Sequence, residues 1–249
     1  MLTLRYFFEI SYKGTNYHGW QIQQNAISIQ QVIQEKLKQL ANDDIEITGS
    51  GRTDTGVHAK QQFFQVDFKN EIKGEDFKYH LNAILPKDIL VRSIRKVKPE
   101  AHVRFDATSR SYEYMIIPHK DPFKLNEAYI YYRSLDLEKL NAASNILIGK
   151  HTFKSFSKVK TQVNNFNCEV YSAYWQQDGE CVVFHIEANR FLRGMVRAIV
   201  GTLLMVNEGK IEIEGVHEIL VSKDRSKAGR SVPSEGLYLS KINYPIHIF

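Results

Sequence analysis

The period of the hydrophobic pattern switches repeatedly in the first hundred residues, and that switching limits the folds open to this chain. Residues 3–12 alternate, with Leu4, Tyr6, Phe8, Ile10 and Tyr12 on one side, the period of two that a strand requires. Ser28-Ile29-Gln30-Gln31 then has the form of a capping box, and Ile29, Val32, Ile33, Leu37 and Leu40 make one apolar stripe at helical spacing. A short strand-like run at Ile45 and Ile47 follows, then a clearer one over residues 62–68. Residues 75–85 return to the helical period with Phe77, Leu81 and Ile84 inward, and Pro86 stops them. Residues 89–97 alternate again. The order strand, helix, strand, strand, helix, strand predicts an α+β lobe with helices on one face of an antiparallel sheet.

The second half carries a related order. Residues 111–117 read as a strand, and 136–148 as a helix ending at Gly149. Asp178-Gly179 is a strong hairpin signal between runs at 169–176 and 181–187. Residues 191–206 read as a helix, 216–220 as a short one, and 237–244 as a last strand. The expectation is an α+β fold of two pseudo-symmetric lobes, 1–100 and 101–249, parted near Lys98-Pro99-Glu100. Each lobe is a mainly antiparallel sheet with helices on one face, RRM-like or ferredoxin-like, and the two enclose a central cleft.

Between the second and third strands of the first half lies Thr48-Gly49-Ser50-Gly51-Arg52-Thr53-Asp54-Thr55-Gly56-Val57-His58-Ala59. Gly49, Gly51 and Gly56 make regular structure costly, so this is a loop. Glycines that let backbone approach a ligand, around the single carboxylate Asp54, describe an active-site loop. The plainer alternative is an Asx-turn in which Asp54 caps its own backbone. Asp54-Thr55-Gly56 also spells the aspartic-protease motif, but no second copy exists in the chain. Arg52, two residues away, would favour the ionised carboxylate over the shared proton such proteases need. Upstream, Tyr12-Lys13-Gly14-Thr15-Asn16-Tyr17-His18-Gly19-Trp20-Gln21-Ile22-Gln23 mixes aromatics with amides. Such a segment could touch bases or sugars, or pack against the sheet.

Composition narrows the class. A chain of 249 residues can build one large or two small cores, and 43% hydrophobic with 24% charged is ordinary for a globular protein. The net charge of +5 fits a polyanionic partner. Cys168 and Cys181 need no disulfide framework, which makes a reducing cytoplasm the default, and the scattered histidines form no metal cluster. The start, Met1-Leu2-Thr3-Leu4-Arg5, lacks a signal peptide's apolar core, and no run reaches membrane-spanning length. A cytoplasmic protein without a membrane partner is expected.

The loop resembles the signature of the pseudouridine synthase A family of tRNA-modifying enzymes, whose catalytic aspartate sits in Gly-Arg-Thr-Asp-Ala-Gly-Val-His-Ala. The likeness extends to Tyr12–Gln21 as written above and to Leu81-Asn82-Ala83-Ile84-Leu85-Pro86. It includes Phe105-Asp106-Ala107-Thr108-Ser109-Arg110-Ser111-Tyr112-Glu113-Tyr114 and His151-Thr152-Phe153-Lys154-Ser155-Phe156. Met195-Val196-Arg197-Ala198-Ile199-Val200-Gly201-Thr202 and Glu235-Gly236-Leu237-Tyr238-Leu239 complete it. Six segments in the right order make a specific match.

That resemblance implies isomerisation of uridine to pseudouridine at positions 38, 39 and 40 of the tRNA anticodon stem-loop, without cofactor or metal. It gives Asp54 the catalytic role. Arg197 would pair with that carboxylate, Tyr112 would stack on the target base, Leu237 would back the uracil, and Arg52 would help displace the base. A homodimer with tRNA across both subunits is implied. Candidate backbone contacts are Arg190, Arg193, Arg230, Lys154 and Lys158, with Arg92, Arg95, Lys96, Lys150, Lys160, Lys223, Arg225 and Lys227 as further cations. Arg193 and Arg197, four apart on one expected helix, would share a basic stripe. The chain departs from the family at Thr55, at Gln61-Gln62, at Arg190, at Ala198 and within Ala228-Gly229-Arg230-Ser231-Val232-Pro233. A non-catalytic RNA-binding protein built on two RRM-like sheets is the alternative, but no RNP1-like string is present.

Overall fold

The computed structural model describes residues 3–159 and 164–249, and the expected cation Lys160 lies outside them. In chain order the elements are β1 (Leu4–Tyr12), α1 (Ile29–Ala41), β2 (Thr48–Gly49), β3 (His58–Phe68), α2 (Gly74–Ile84), β4 (Ile89–Lys96) and β5 (Ser109–Ile117). They continue as β6 (Tyr129–Ile130), α3 (Leu137–Asn145), β7 (Gly149–Thr152), β8 (Asn167–Asp178), β9 (Cys181–Ala188), α4 (Met195–Asn207), α5 (Gly215–Ser222) and β10 (Leu237–Asn243). The fold is mixed α/β with mainly antiparallel strand pairing. It forms two compact units, Met1–Thr108 with Leu239–Phe249, and Ser109–Tyr238.

In the first unit the strand order is β4-β1-β3-β10, with β2 beside β3. Antiparallel β1–β3 pairing runs from Leu4↔Phe68 to Tyr12↔Ala59, with an irregularity between Ile10 and Tyr12. A strand flanked on both sides satisfies its ladder, so what remains is to cover two faces. On one, Phe8 stacks on Phe64 at 4.8 Å and meets Phe77 of α2, while Ile29, Ile33 and Leu37 of α1 are buried. On the other, Phe7 is covered by Tyr244 and Phe249. The alternation in β1 pointed to one buried face; the C-terminal segment supplies the second.

Local chemistry sets the helix ends. Ser28 caps α1 by accepting from Gln31 N–H at 3.2 Å, a bond worth about 1 kcal/mol. The capping box is only half made, because the Gln31 amide donates to Glu35 instead. Glu75 and Asp76 in the first turn of α2 complement its dipole, and Leu85 turns extended before Pro86. Asn82 then pins α2 to β4, accepting from Val91 N–H at 2.8 Å and donating to its carbonyl at 2.9 Å.

The unit extends past residue 100 for stated reasons. Arg5 grips Asp67 with two bonds of 2.7 Å and donates to the Ala101 carbonyl. Val103 N–H donates to Gln65, and the Tyr244 hydroxyl donates to the Val103 carbonyl. This division therefore differs from a single cut near residue 100 by the segment 101–108 and the returning C-terminus.

The second unit orders its strands β5-β9-β8-β7, with β6 parallel to β5. Its hairpin closes at Asp178↔Cys181, as the Asp178-Gly179 turn predicts. Asn141 of α3 clamps the backbone of Trp175, and the indole N–H donates to Ser144 at 3.1 Å. Helix α4 is buried almost all round, and Arg197 is its one charged residue. It starts later than the expected 191, because Gly194 at φ 72° forms its N-cap in the left-handed region. Arg193 consequently lies before the helix, and the basic stripe expected of Arg193 and Arg197 does not exist.

Candidate active site

Asp54 stands in the connection between β2 and β3, and the residues around it alternate between core and solvent. Thr53 is buried, Asp54 is half-buried, and Arg52 and Thr55 are exposed. The Val57 N–H donates to the Asp54 carbonyl at 3.1 Å and closes a tight turn. Beneath it, the Tyr12 hydroxyl lies 2.8 Å from Thr53 Oγ1 and donates to Gln62 at 2.8 Å. Gln62 in turn donates to the Gly51 carbonyl. Ser50 bonds Phe63 through both backbone and hydroxyl.

The segment 12–20 clasps the same loop from its other side. Trp20 N–H donates to the Thr53 carbonyl at 3.2 Å, and Gly56 N–H donates to Tyr17 at 3.2 Å. At Gly19, with φ 84°, a Cβ would overlap the Thr53 carbonyl oxygen, so backbone meets backbone there. Gly14 N–H donates to Nδ1 of His58, which leaves that buried imidazole its proton on Nε2 when neutral. The aromatics of segment 12–23 pack inward: Tyr12, Tyr17 and Trp20 are all buried. Burial, then the bond to Asp88, pushes the Tyr17 hydroxyl's pKa well above its usual range, so it acts as a fixed donor at 2.6 Å. A loop tied by this many bonds, each worth about 1 kcal/mol net, holds the Asp54 backbone in one place.

In the second unit, Arg197 is bound twice to one residue. Its Nε donates to the Val232 carbonyl at 2.7 Å, and Val232 N–H donates to the Arg197 carbonyl at 3.2 Å. Segment 228–233 can approach α4 this closely because Gly201 and Gly229 meet without side chains. A Cβ on Gly201 would overlap the Arg230 carbonyl oxygen, and one on Gly229 would sit within 2.6 Å of Thr202 N. Thr202 Oγ1 accepts from Gly229 N–H while donating to Ala198. Next along the chain, the Tyr114 hydroxyl donates to the Pro233 carbonyl at 2.8 Å. Burial drives that hydroxyl's pKa far up, with the Arg197 charge opposing in part. Leu237 is buried, and Tyr112 is half-buried with its ring edge-on to Phe191 at 4.9 Å.

A family model described as tRNA pseudouridine synthase matches residues 10–106 and 143–245. The chain belongs to the tRNA pseudouridine synthase family. It is 46% identical over 246 residues to tRNA pseudouridine synthase A of Parabacteroides distasonis, covering 98% of each chain. The enzyme of the same name from Bacteroides thetaiotaomicron is 45% identical, over 98% of this chain and 92% of that one. That of a Thermoanaerobacter species is 39% identical, over 94% and 97%.

Within this synthase fold, the expected site residues divide by unit: Arg52 and Asp54 fall in the first, and Tyr112, Arg197 and Leu237 in the second. Among the candidate cations, Arg193 is exposed and its carbonyl accepts from Lys158 N–H. Arg230 is exposed, and Arg190 and Lys154 line a common groove. Among the described residues, no group of three or more His, Cys, Asp or Glu side chains could hold a metal ion. Sequence reading missed the frame of the loop: Tyr12, Thr53, Gln62 and His58. Nothing in their spacing marks them, since they come from the end of β1, the loop and β3 and meet only in the fold. Val232 was missed for another reason, because its backbone, not its side chain, holds Arg197.

Proposed function

We propose that this chain isomerises uridine to pseudouridine in tRNA, at positions 38, 39 and 40 of the anticodon stem-loop, with Asp54 as nucleophile or base. The observation that carries the reading is the Asp54 carboxylate, half-exposed on a loop that buried side chains fix from both sides, in a member of this family. The reaction conserves the nucleotide's composition: the C1′–N1 bond breaks, the uracil turns, C5 bonds to C1′, and the C5 proton leaves as N1 gains one. An ionised carboxylate can serve by attacking the sugar, by attacking the base, or by removing the sugar proton.

A base within a stem must be flipped out at a cost of about a few kcal/mol. Stacking on Tyr112 offsets about 1–3 kcal/mol of that. Leu237 backs the uracil, Arg52 helps displace it, and Arg197 orients the carboxylate. Arg190, Arg193, Arg230, Lys154 and Lys158 hold phosphates. Both α+β halves thereby serve one base, and the working form is a cytoplasmic homodimer; family resemblance supports these points. The test follows from the chemistry. tRNA carrying tritium at uridine C5 must release it to water once per turnover. Binding of that tRNA without release would replace the enzyme with the non-catalytic RNA-binding protein.

A further inference from the structure

One concave surface of the second unit gathers two of the proposed phosphate-binding cations, Lys154 and Arg190, with groups that the reading above does not use. It is an open groove of about 990 Å³ between β7, the start of β8, the turn at Lys154 and the end of α5. Four cations line it, Lys150, Lys154, Arg190 and Lys223, against one carboxylate, Glu169. Lys150 and Glu169 face each other across the β7–β8 pair, with Nζ 3.8 Å from the carboxylate. That leaves a surplus of positive charge on Lys154, Arg190 and Lys223. The floor adds no negative charge, since burial pushes the Cys168 thiol up to about 11. Lys154 Nζ lies 5.9 Å over the ring of Phe166, which is only half-buried and so offers an aromatic face beside the charge. Asparagine amides at 164, 165 and 167 complete the rim. Cations, amides and a face for stacking are the chemistry that tracks a nucleic-acid strand. An acidic peptide would use the charges and leave the ring and amides idle.

We infer that this groove is a backbone subsite for the RNA substrate, in which Lys154, Arg190 and Lys223 hold consecutive phosphates and Phe166 takes a base or ribose face. The inference rests on the proposed function for the identity of the RNA. His151-Thr152-Phe153-Lys154-Ser155-Phe156 builds its wall: Phe153 and Phe156 are buried and fix the turn that presents Lys154. Arg190 adds a further charge to the same lining.

The experiment measures binding of unmodified tRNA transcript to the full-length protein by anisotropy, over a series of KCl concentrations. Each lost phosphate contact flattens the log–log salt slope by about 0.7–0.9. Lys154→Ala/Lys223→Ala should therefore lose about 1.5 in slope and about tenfold in affinity near physiological salt. Lys154→Arg/Lys223→Arg should restore both. Phe166→Ala should weaken binding with the slope intact, because stacking releases no counterions. Lys36→Ala, on α1 of the first unit, is the control. A double-alanine variant with wild-type affinity and slope overturns the subsite. So does a variant that changes only the sedimentation of the protein, which would make the groove a contact between copies. Wild-type protein that binds tRNA but releases no tritium would sink the catalytic reading and leave the groove standing.

Discussion

At the scale of single residues, the proposal places the chemistry on Asp54 and Tyr112, and each role can be tested apart from RNA binding. Asp54→Asn keeps the size of the side chain and the buried frame of Tyr12, Thr53 and Gln62 beneath it. It should abolish tritium release in single-turnover assays while tRNA affinity stays within about tenfold, since phosphate contacts supply most of the affinity. Release above a few per cent of wild type in Asp54→Ala would reject the carboxylate as catalyst. Tyr112 meets Phe191 edge-on at 4.9 Å, so its ring is positioned whether or not the hydroxyl is used. Tyr112→Phe should retain most of the rate and Tyr112→Leu should lose about 1–3 kcal/mol, or roughly tenfold to a hundredfold. Equal loss in both variants would show that the hydroxyl moves a proton and that stacking is secondary.

At the scale of elements, the tightest constraint is the crossing of α4 with segment 228–230. Gly201→Ala drives a methyl into the Arg230 carbonyl oxygen, and neither backbone can yield without breaking the Thr202–Gly229 bond. A cost of about 1–3 kcal/mol is expected, a fall of several degrees in melting temperature for a chain of this size. Turnover should fall further than stability, because the same crossing sets the Val232 carbonyl that holds Arg197. Gly51→Ala is the counterpart: no atom lies within 4 Å of its added Cβ, so melting should shift by less than about 0.5 kcal/mol. Where local chemistry decides an element, the sequence was legible. Ser28 placed α1, Pro86 stopped α2, and Asp178-Gly179 closed the hairpin. It misled where tertiary contacts decide. Phe191 and Leu192 share the apolar character of α4, yet Gly194 in the left-handed region starts the helix after them. The second buried face of β1 depends on Tyr244 and Phe249, nearly the whole chain away. The loop around Asp54 was marked by its glycines and its family motif, but the hydrogen-bonded frame below it was not.

At the scale of the whole molecule, a net charge of +5 supplies long-range attraction to RNA, and the question is which arginines do more than that. Arg197 differs from a surface cation in kind. It is the one charge on a helix otherwise buried almost all round, and the Val232 carbonyl fixes its Nε. Such a side chain sacrifices rotamer freedom that a phosphate contact has no need to give up. If its role is to orient and hold the Asp54 carboxylate, Arg197→Met should lower the single-turnover rate by about a hundredfold or more, with affinity altered less than about fivefold. Arg197→Lys should be intermediate, because an ammonium supplies charge without the planar two-pronged geometry. That partial rescue separates the proposal from a purely structural role, in which lysine and methionine would fail together with a lowered melting temperature. Arg193→Met is the comparison, exposed and outside the helix. It should reduce affinity and flatten the salt slope by about one contact, 0.7–0.9, while leaving the rate at saturating tRNA alone. Should Arg197→Met instead lose affinity and salt slope and keep its single-turnover rate, the pairing with Asp54 is wrong. Arg197 would then belong with the phosphate-binding cations, and the carboxylate would have to find its orientation in the loop's own frame.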